Sequence, residues 1–550
     1  MRIPAENSQR IQLFNEILHD CLVSRQERML DYETHRTYFL YGSPDGVKTS
    51  QNQLADKTSL MLSYIFSQDG LRFSASFDRF LAPIELISSE SITREWKRAN
   101  SDEVFQRCLT WASVYNSTIF QALWVGDGIK PYMISPHNFG VLNEAVMDLD
   151  DQEAFVHVYE VSLDQLERVL INHPGRDEIL ARLSVGEPQQ GQYEGLARLV
   201  IAASNLGQQG GSMAGYLRNG TAQEYSARTQ QKMVELCELW IWNDDTDDYQ
   251  IVTMAGENVV IFDRKNFYLK GDHPFVHVCI DPVADYFWGA SITGRVETLQ
   301  DIRVERMMGV RKIMRKQIDP PFFISGIPGI TDEKVRALQE AGSYIYSQMP
   351  NGTVNPIRPE MPQDIWAEIK EIDNEFDMRL GLANILGGQG EPGVRSADHA
   401  FTLANLAASR IIQQALKVER ILEKIGTLYW KLMHTYDGEH VYHQEGLPPF
   451  MFSQIQETPV ITVEAHTASP IFKHDQLNQA ALLFKAGAMD AEDLLDVARP
   501  ANLEYIKRKL KQREKVQQEI AMHNMKLQEE AIHAGIEKKI SPLVHHVPKK

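Results

Sequence analysis

Between residues 8 and 40 the apolar positions Ile11, Phe14, Ile17, Leu18 and Leu22 recur every three or four residues, which predicts a long helix with one apolar face. From there to about residue 170 the pattern shortens into strands mixed with turns. Thr118 to Val125 is an apolar run that stops at Gly-Asp-Gly, residues 126–128. Ala154 to Val161 alternates loosely and runs into the helical SLDQLERVLI. Three further runs, Leu236 to Trp242, Gln250 to Met254 and Asn258 to Phe262, are broken by NDDTDD and AGEN and predict a β-meander. Before them, residues 207–229 are rich in Gly, Gln and small polar residues, too poor in apolar surface to order themselves, and read as a mobile loop or insertion.

After residue 288 the period changes to that of long helices. In residues 292–318, Ile292, Val296, Leu299, Met307, Val310 and Met314 share one face, Ser291 is placed to cap the start, and Asp319-Pro320-Pro321 stops the run. At about 1.5 Å per residue such a helix is a rod of roughly 40 Å. A compact segment, 319–362, reads as strand FFI, a short helix, strand YIYSQ, a PNG turn and a second strand. A second helix, 363–386, carries an unbroken stripe of Ile365, Ile369, Ile372, Phe376, Leu380, Ala383 and Leu386. Its other faces hold Glu368, Glu371, Asp373, Glu375 and Asp377 against Lys370 and Arg379, which reads as a solvated acidic surface. A third helix is predicted from about Ala397 to Tyr436, interrupted by a single glycine, Gly426.

Composition bounds what such a chain does. At 550 residues it is long enough for roughly three or four domain-sized units. With 56 Lys and Arg against 74 Asp and Glu, its net charge of -18 excludes adhesion of the whole surface to nucleic acid, so any contact with DNA must be local. Cys21, Cys108, Cys237 and Cys279 lie far apart with no CxxC pair, and read as reduced, buried thiols. There is no signal-like leader and no stretch approaching 18 apolar residues, so a cytoplasmic protein without a membrane anchor is expected.

The candidate chemistry is weak at every motif. Gly388, Gly390 and Gly393 fall at GxGxxG spacing, but a helix precedes them where a dinucleotide fold needs a strand; Glu391 repels phosphate, Pro392 lacks an N–H, and no Walker lysine follows. Glycines that end one helix and free the chain before the next are the better reading. Gly289-Ala290-Ser291-Ile292-Thr293 begins like a nucleophile elbow, yet Thr293 stands where the second glycine is needed, leaving Ser291 as a helix cap. His273, His277, His545 and His546 have no carboxylate at ligand spacing in the sequence and read as sheet and tail histidines. No catalytic residue, metal or cofactor is expected.

The order of elements resembles the portal proteins of tailed bacteriophages. HPFVHVCIDPVADYFWGASI at 273–292 is similar to the portal pattern in which an HP-containing strand leads through a WG-x-S turn into the first stem helix. MISPHNFGV at 133–141 and LLFKAGAMDAEDLLDVARP at 482–500 are similar to a wing strand and to the carboxy-terminal helical region. The resemblance spans roughly residues 10–510 and rests on the order of these phrases.

It implies an α+β ring subunit: an α+β wing over 1–290, stem helices at 291–318 and 363–386, an αβ clip at 319–362, a tunnel loop at 387–399, a long helix and wing return at 400–474, and a helical crown and tail at 475–550. It further implies a homo-oligomeric ring, a dodecamer, at one capsid vertex of the virion, assembled in the host cytoplasm. Implied partners are double-stranded DNA, the terminase large subunit, major capsid and scaffolding proteins, and a head-tail adaptor or tail protein; no membrane is implied. A ring would multiply the negative charge and keep DNA from sticking to the bore. In the tunnel loop Gln389, Glu391 and Arg395 are the candidates for closest approach to DNA, with Gly387, Gly388, Gly390 and Gly393 as its hinge. On the first stem helix, Arg295, Arg303 and Arg306 precede a denser group, Arg311, Lys312, Arg315 and Lys316, the basic-ring candidates. They serve either DNA contact or the helix dipole and ion pairs between subunits. The alternatives are a virion structural or adaptor protein without a central channel, and a nucleotide-binding enzyme.

Overall fold

The computed structural model describes residues 1–43, 52–66, 71–77, 82–185, 233–255, 259–318, 320–325, 353–382, 409–439, 451–455, 457–463 and 480–490, with a few single positions besides. In chain order the elements are α1 (Asn7–Tyr41), α2 (Gln53–Ile65), β1 (Phe73–Ser76), α3 (Ala82–Arg98), α4 (Ser101–Tyr115), β2 (Ser117–Val125), β3 (Gly128–Ile134), β4 (Phe139–Val141), β5 (Ala154–Ser162), α5 (Leu163–Val169) and α6 (Arg176–Val185). Then come β6 (Met233–Asn243), β7 (Asp248–Met254), β8 (Val260–Lys265), β9 (Phe275–Cys279), α7 (Ile292–Ile318), β10 (Phe322–Ser325), β11 (Thr353–Pro356), α8 (Ile365–Leu380), α9 (Ser409–Tyr436) and β12 (Val460–Val463). The class is mixed helix and sheet, as the sequence predicts.

One expectation fails between residues 41 and 116. Where short strands and turns were predicted, the described residues form three helices, α2, α3 and α4, around one strand, β1. Ser and Thr fill these segments and weaken their intrinsic helicity. Burial of Leu54, Met61, Leu62 and Ile65 on α2, and of Val104, Phe105, Cys108, Leu109 and Ala112 on α4, overrides that preference.

The meander β6–β7–β8 extends to an antiparallel five-stranded sheet in the order β4-β5-β6-β7-β8. Alternation along its strands sorts side chains to two cores. Val156, Val158, Cys237, Leu239 and Ile241 pack against Phe14, Ile17, Leu18 and Leu22 of α1. Phe155 and Trp240 point the other way, into an aromatic layer with Phe139, Tyr249, Phe275, Phe287 and Trp288. A three-stranded sheet, β3-β2-β9, adjoins that layer; its hairpin turns at Gly126, φ 67°, where the Gly-Asp-Gly turn was expected.

The long helix α9 lies on α3, β9, β12 and the small β1–β12 sheet. Gly426 makes the contact with that sheet close: a Cβ there would sit 2.7 Å from Ile461 Cγ2 and 2.9 Å from Phe73 Cδ1. Residues 471–550 form a separate compact unit, of which residues 480–485 are helical. Among the described residues no helix is long and apolar enough to cross a membrane. Cys21, Cys108 and Cys237 are buried, and all four cysteines are free thiols, in agreement with the sequence reading.

Candidate nucleic-acid interface

Helix α7 begins where a cap was expected: Ser291 Oγ accepts the Gly294 N–H at 3.1 Å and donates to Val114 O at 2.8 Å. A serine held this way is spent on structure, against the nucleophile reading. The turn before it depends on Gly289, at φ 70°, where a Cβ would press on Cys279 Sγ and lie 2.7 Å from Asp281 O.

From Ile292 to Val310, α7 is packed into the chain, with Val296, Leu299, Gln300 and Arg303 buried. Beyond Val310 it emerges. Arg311, Lys312, Met314, Arg315, Lys316, Gln317 and Ile318 are all exposed, and Ile313 is half-buried. Stepping about 100° per residue, Arg311, Lys312, Arg315 and Lys316 fall within one sector of roughly 140°. The exposed apolar side chains Met314 and Ile318 lie in the neighbouring sector. Four cations in the last two turns also complement the negative end of the helix dipole.

The acidic face of α8 is largely neutralised, which departs from the solvated surface expected. Arg303 of α7 reaches Asp373 at 2.7 Å, Arg306 reaches Glu368 at 2.6 Å, Lys57 of α2 reaches Asp377 at 2.7 Å, and Arg379 bonds Glu375 at 2.6 Å within the helix. Of the five carboxylates, Glu371 carries no ion pair among the described residues. Arg303 and Arg306 are therefore committed within the chain, and Arg295 is paired with Asp281. The stripe Ile369, Ile372, Phe376 and Leu380 is buried as predicted.

α8 ends earlier than its apolar stripe suggests. Gly381 takes φ 74°, and the Leu382 N–H returns to Asp377 O at 2.8 Å, a Schellman-type stop. Helical spacing continues to Leu386 in the sequence, but a left-handed glycine closes the helix at Leu380. Gly387, Gly388, Gln389, Gly390, Glu391, Gly393 and Arg395, the tunnel-loop candidates, lie outside the described residues, as do 207–229, His545 and His546.

The fold also gathers residues that are remote in sequence. His273 Nε2 lies 3.2 Å from Asp150 Oδ1, and Asp272 joins them in a group of three ligand-type side chains. Sequence spacing offered His273 no such carboxylate partner. Lysines already supply the positive charge that a metal would bring: Lys431 pairs with Asp272, and Lys424 reaches Asp148 at 2.8 Å and Asp150 at 3.7 Å. The group ties α9 to the sheets. His277 is stacked on Phe287 with ring centres 4.0 Å apart, and burial pushes its pKa down to about 3, so it is a neutral core ring.

The His273 ring 3.2 Å away lowers Asp150 from its ordinary 3.8 to about 2, burial opposing it. A depressed carboxylate stabilises the fold above its unfolded pKa and loses that contribution as pH falls through the folded one. The stability gap between the wild-type chain and Asp150→Asn should hold steady above about pH 4 and close towards pH 2. Paired acid-unfolding curves check this; a gap that persists unchanged at pH 2 refutes it.

Two long helices are thus joined by ion pairs from arginines of α7 to carboxylates of α8, and α7 ends in an exposed basic and apolar tip. A family model described as phage SU10 portal protein matches residues 113–422, more than half of the chain, and the chain belongs to that family. The match runs from the end of α4 into α9 and includes both rods. Among solved structures, the chain is similar to one from the virion of a native gene transfer agent particle, with TM-score 0.40, 10% identity, and 84% of this chain and 91% of that chain covered. A second is from the neck of an empty gene transfer agent particle computed with C6 symmetry, with TM-score 0.37, 12% identity, and 84% and 90% covered. No curated protein matches the sequence.

Proposed function

We propose that the chain is the subunit of a non-enzymatic homo-oligomeric ring, a dodecamer, at one vertex of a capsid, through which double-stranded DNA is packaged and later ejected. The family match across residues 113–422 carries this reading. In it α7 and α8 are the stem, 319–362 the clip, 1–290 the wing, and 475–550 the crown and tail. On the same reading 387–399 is the tunnel loop, with Gln389, Glu391 and Arg395 nearest DNA, and the stem helix α8 stops at Leu380. The terminase large subunit, the capsid and scaffolding proteins, and a head-tail adaptor or tail protein are its partners during assembly in the host cytoplasm and in the virion.

Two features support the ring. Met308, Met314, Ile318, Trp366 and Met378 are large apolar side chains left 47–77% exposed on α7 and α8, surface that neighbouring copies would cover. The pairing of α7 with α8 makes the two helices one rigid unit, suited to resist the load of a moving duplex.

Lys312, Arg315 and Lys316 are assigned to DNA phosphates. Replacing all three by Gln should leave rings intact in negative-stain images, lower duplex affinity by roughly tenfold or more at low salt, and flatten the dependence of affinity on salt. Wild-type salt dependence in the triple variant would return these residues to helix-dipole and subunit-contact roles. Absence of annular particles in the wild type would overturn the portal reading itself.

A further inference from the structure

A polar cavity of about 620 Å³ lies where α7 begins, α8 ends and α9 begins. Asp281, Arg295, Arg379, Arg410, Gln413, Gln414 and Lys417 line it. Among the described residues four cations thus face one carboxylate, and that carboxylate is already paired with Arg295. Arg410 spends its Nη1 on neutral groups, the carbonyls of Arg379 at 2.6 Å and Met378 at 3.5 Å. Arg379 bonds Glu375 at 2.6 Å and the Arg295 carbonyl at 2.9 Å. Among the described residues neither Arg410 nor Lys417 has a carboxylate partner. Burial, then the nearby Arg410 charge, shifts Arg295 downward, a sign that the cations are felt by one another.

Gln414 adds a second, independent observation. It is 5% exposed and lines the cavity, and its Oε1 has no hydrogen-bond partner. A buried amide left unsatisfied is costly. It becomes satisfied if a bound group offers an O–H, or if the amide turns over and donates its N–H to an acceptor.

We infer that this cavity binds an oxyanion of phosphate chemistry, either free phosphate or the phosphodiester groups of a nucleic-acid backbone. Guanidinium groups fork onto phosphate oxygens, a lysine adds a point charge, and two glutamines add neutral donors. The volume exceeds what one carboxylate fills and lies in the range of ordinary ligand sites. Asp281 remains bound to Arg295 and orients that guanidinium.

The test uses the purified full-length protein at constant ionic strength. One arm titrates inorganic phosphate calorimetrically, and the other titrates a short duplex DNA by fluorescence anisotropy. Arg410 holds the end of α8, and its loss could unfold that junction, so Lys417→Gln and Arg379→Gln carry the test. Each should weaken binding by roughly tenfold, the effect of losing one charged donor to an anion. Loss in the phosphate arm alone identifies free phosphate as the ligand; loss in the DNA arm, with or without the other, identifies backbone phosphate. Wild-type affinity for both probes in both variants, or no phosphate binding with duplex binding indifferent to Lys417→Gln, overturns the site and leaves a neighbouring copy's carboxylate as its occupant. Ring formation is scored separately, so failure here and failure of the portal reading remain distinguishable.

Discussion

Gly289→Ala is expected to destabilise the chain by about 2–5 kcal/mol. Holding a residue with a Cβ at φ 70° costs roughly 1–2 kcal/mol. The new methyl group also presses on Cys279 Sγ and stands 2.7 Å from Asp281 O, with overpacking typically worth a further ~1–3 kcal/mol. Asp281 O cannot easily yield, because it accepts the Ala290 N–H at 2.9 Å. Any shift is passed to Ser291, the cap of α7, and so to the direction of the whole rod. Gly309→Ala on the same helix is the control: beyond the backbone of its own helix turns nothing lies within 4 Å of its added Cβ, and helix propensity favours Ala by about 1 kcal/mol. Calorimetric melting should place the two variants on opposite sides of the wild type. Equal melting of Gly289→Ala and wild type would mean that this turn does not set the entry of α7.

Breaking the α7–α8 clamp is the second large effect. Arg303 is buried and bonds Asp373, which is 33% exposed in its side chain, so the pair lies between the surface and interior limits. Removing one partner of a fully buried pair costs ~3–5 kcal/mol; solvent access at Asp373 reduces the expected loss for Arg303→Ala to about 2–3 kcal/mol. Arg303→Met with Asp373→Leu should recover most of it, since no charge is left stranded. Arg306→Ala, which breaks the more exposed pair with Glu368, should be far milder. Denaturant midpoints on the three variants decide the order. A double variant as unstable as Arg303→Ala would locate the loss in lost packing and not in an orphaned carboxylate.

The features legible beforehand were those written in local periodicity. The first and last residues of α7, the cap at Ser291, the meander and the hairpin turn at Gly126 all follow from spacing within a few residues, because helix and strand periods act over that range. The three helices between residues 53 and 115 were not legible, since Ser- and Thr-rich segments of low intrinsic helicity become helical only when a core exists to bury their apolar face. The stop at Gly381 was hidden inside an apolar stripe that continues through it. Portal family membership was carried by the order of elements, which survives where individual residues do not.

What the sequence determined by itself is the first helix, the meander and the long helices after residue 288, with their order, and a strongly acidic balance that confines nucleic-acid contact to local basic groups. Tertiary structure alone decided which charges remain available. It joined Arg303 to Asp373 across 70 positions and Arg306 to Glu368 across 62, consuming charges that the sequence presents as free. It left Lys312, Arg315 and Lys316 exposed at a helix end, and it brought Asp281, Arg295, Arg379, Arg410 and Lys417 to one cavity. The physical reason is that secondary structure is dictated by near neighbours, whereas the fate of a charge depends on whichever distant group folding places within a few ångströms of it.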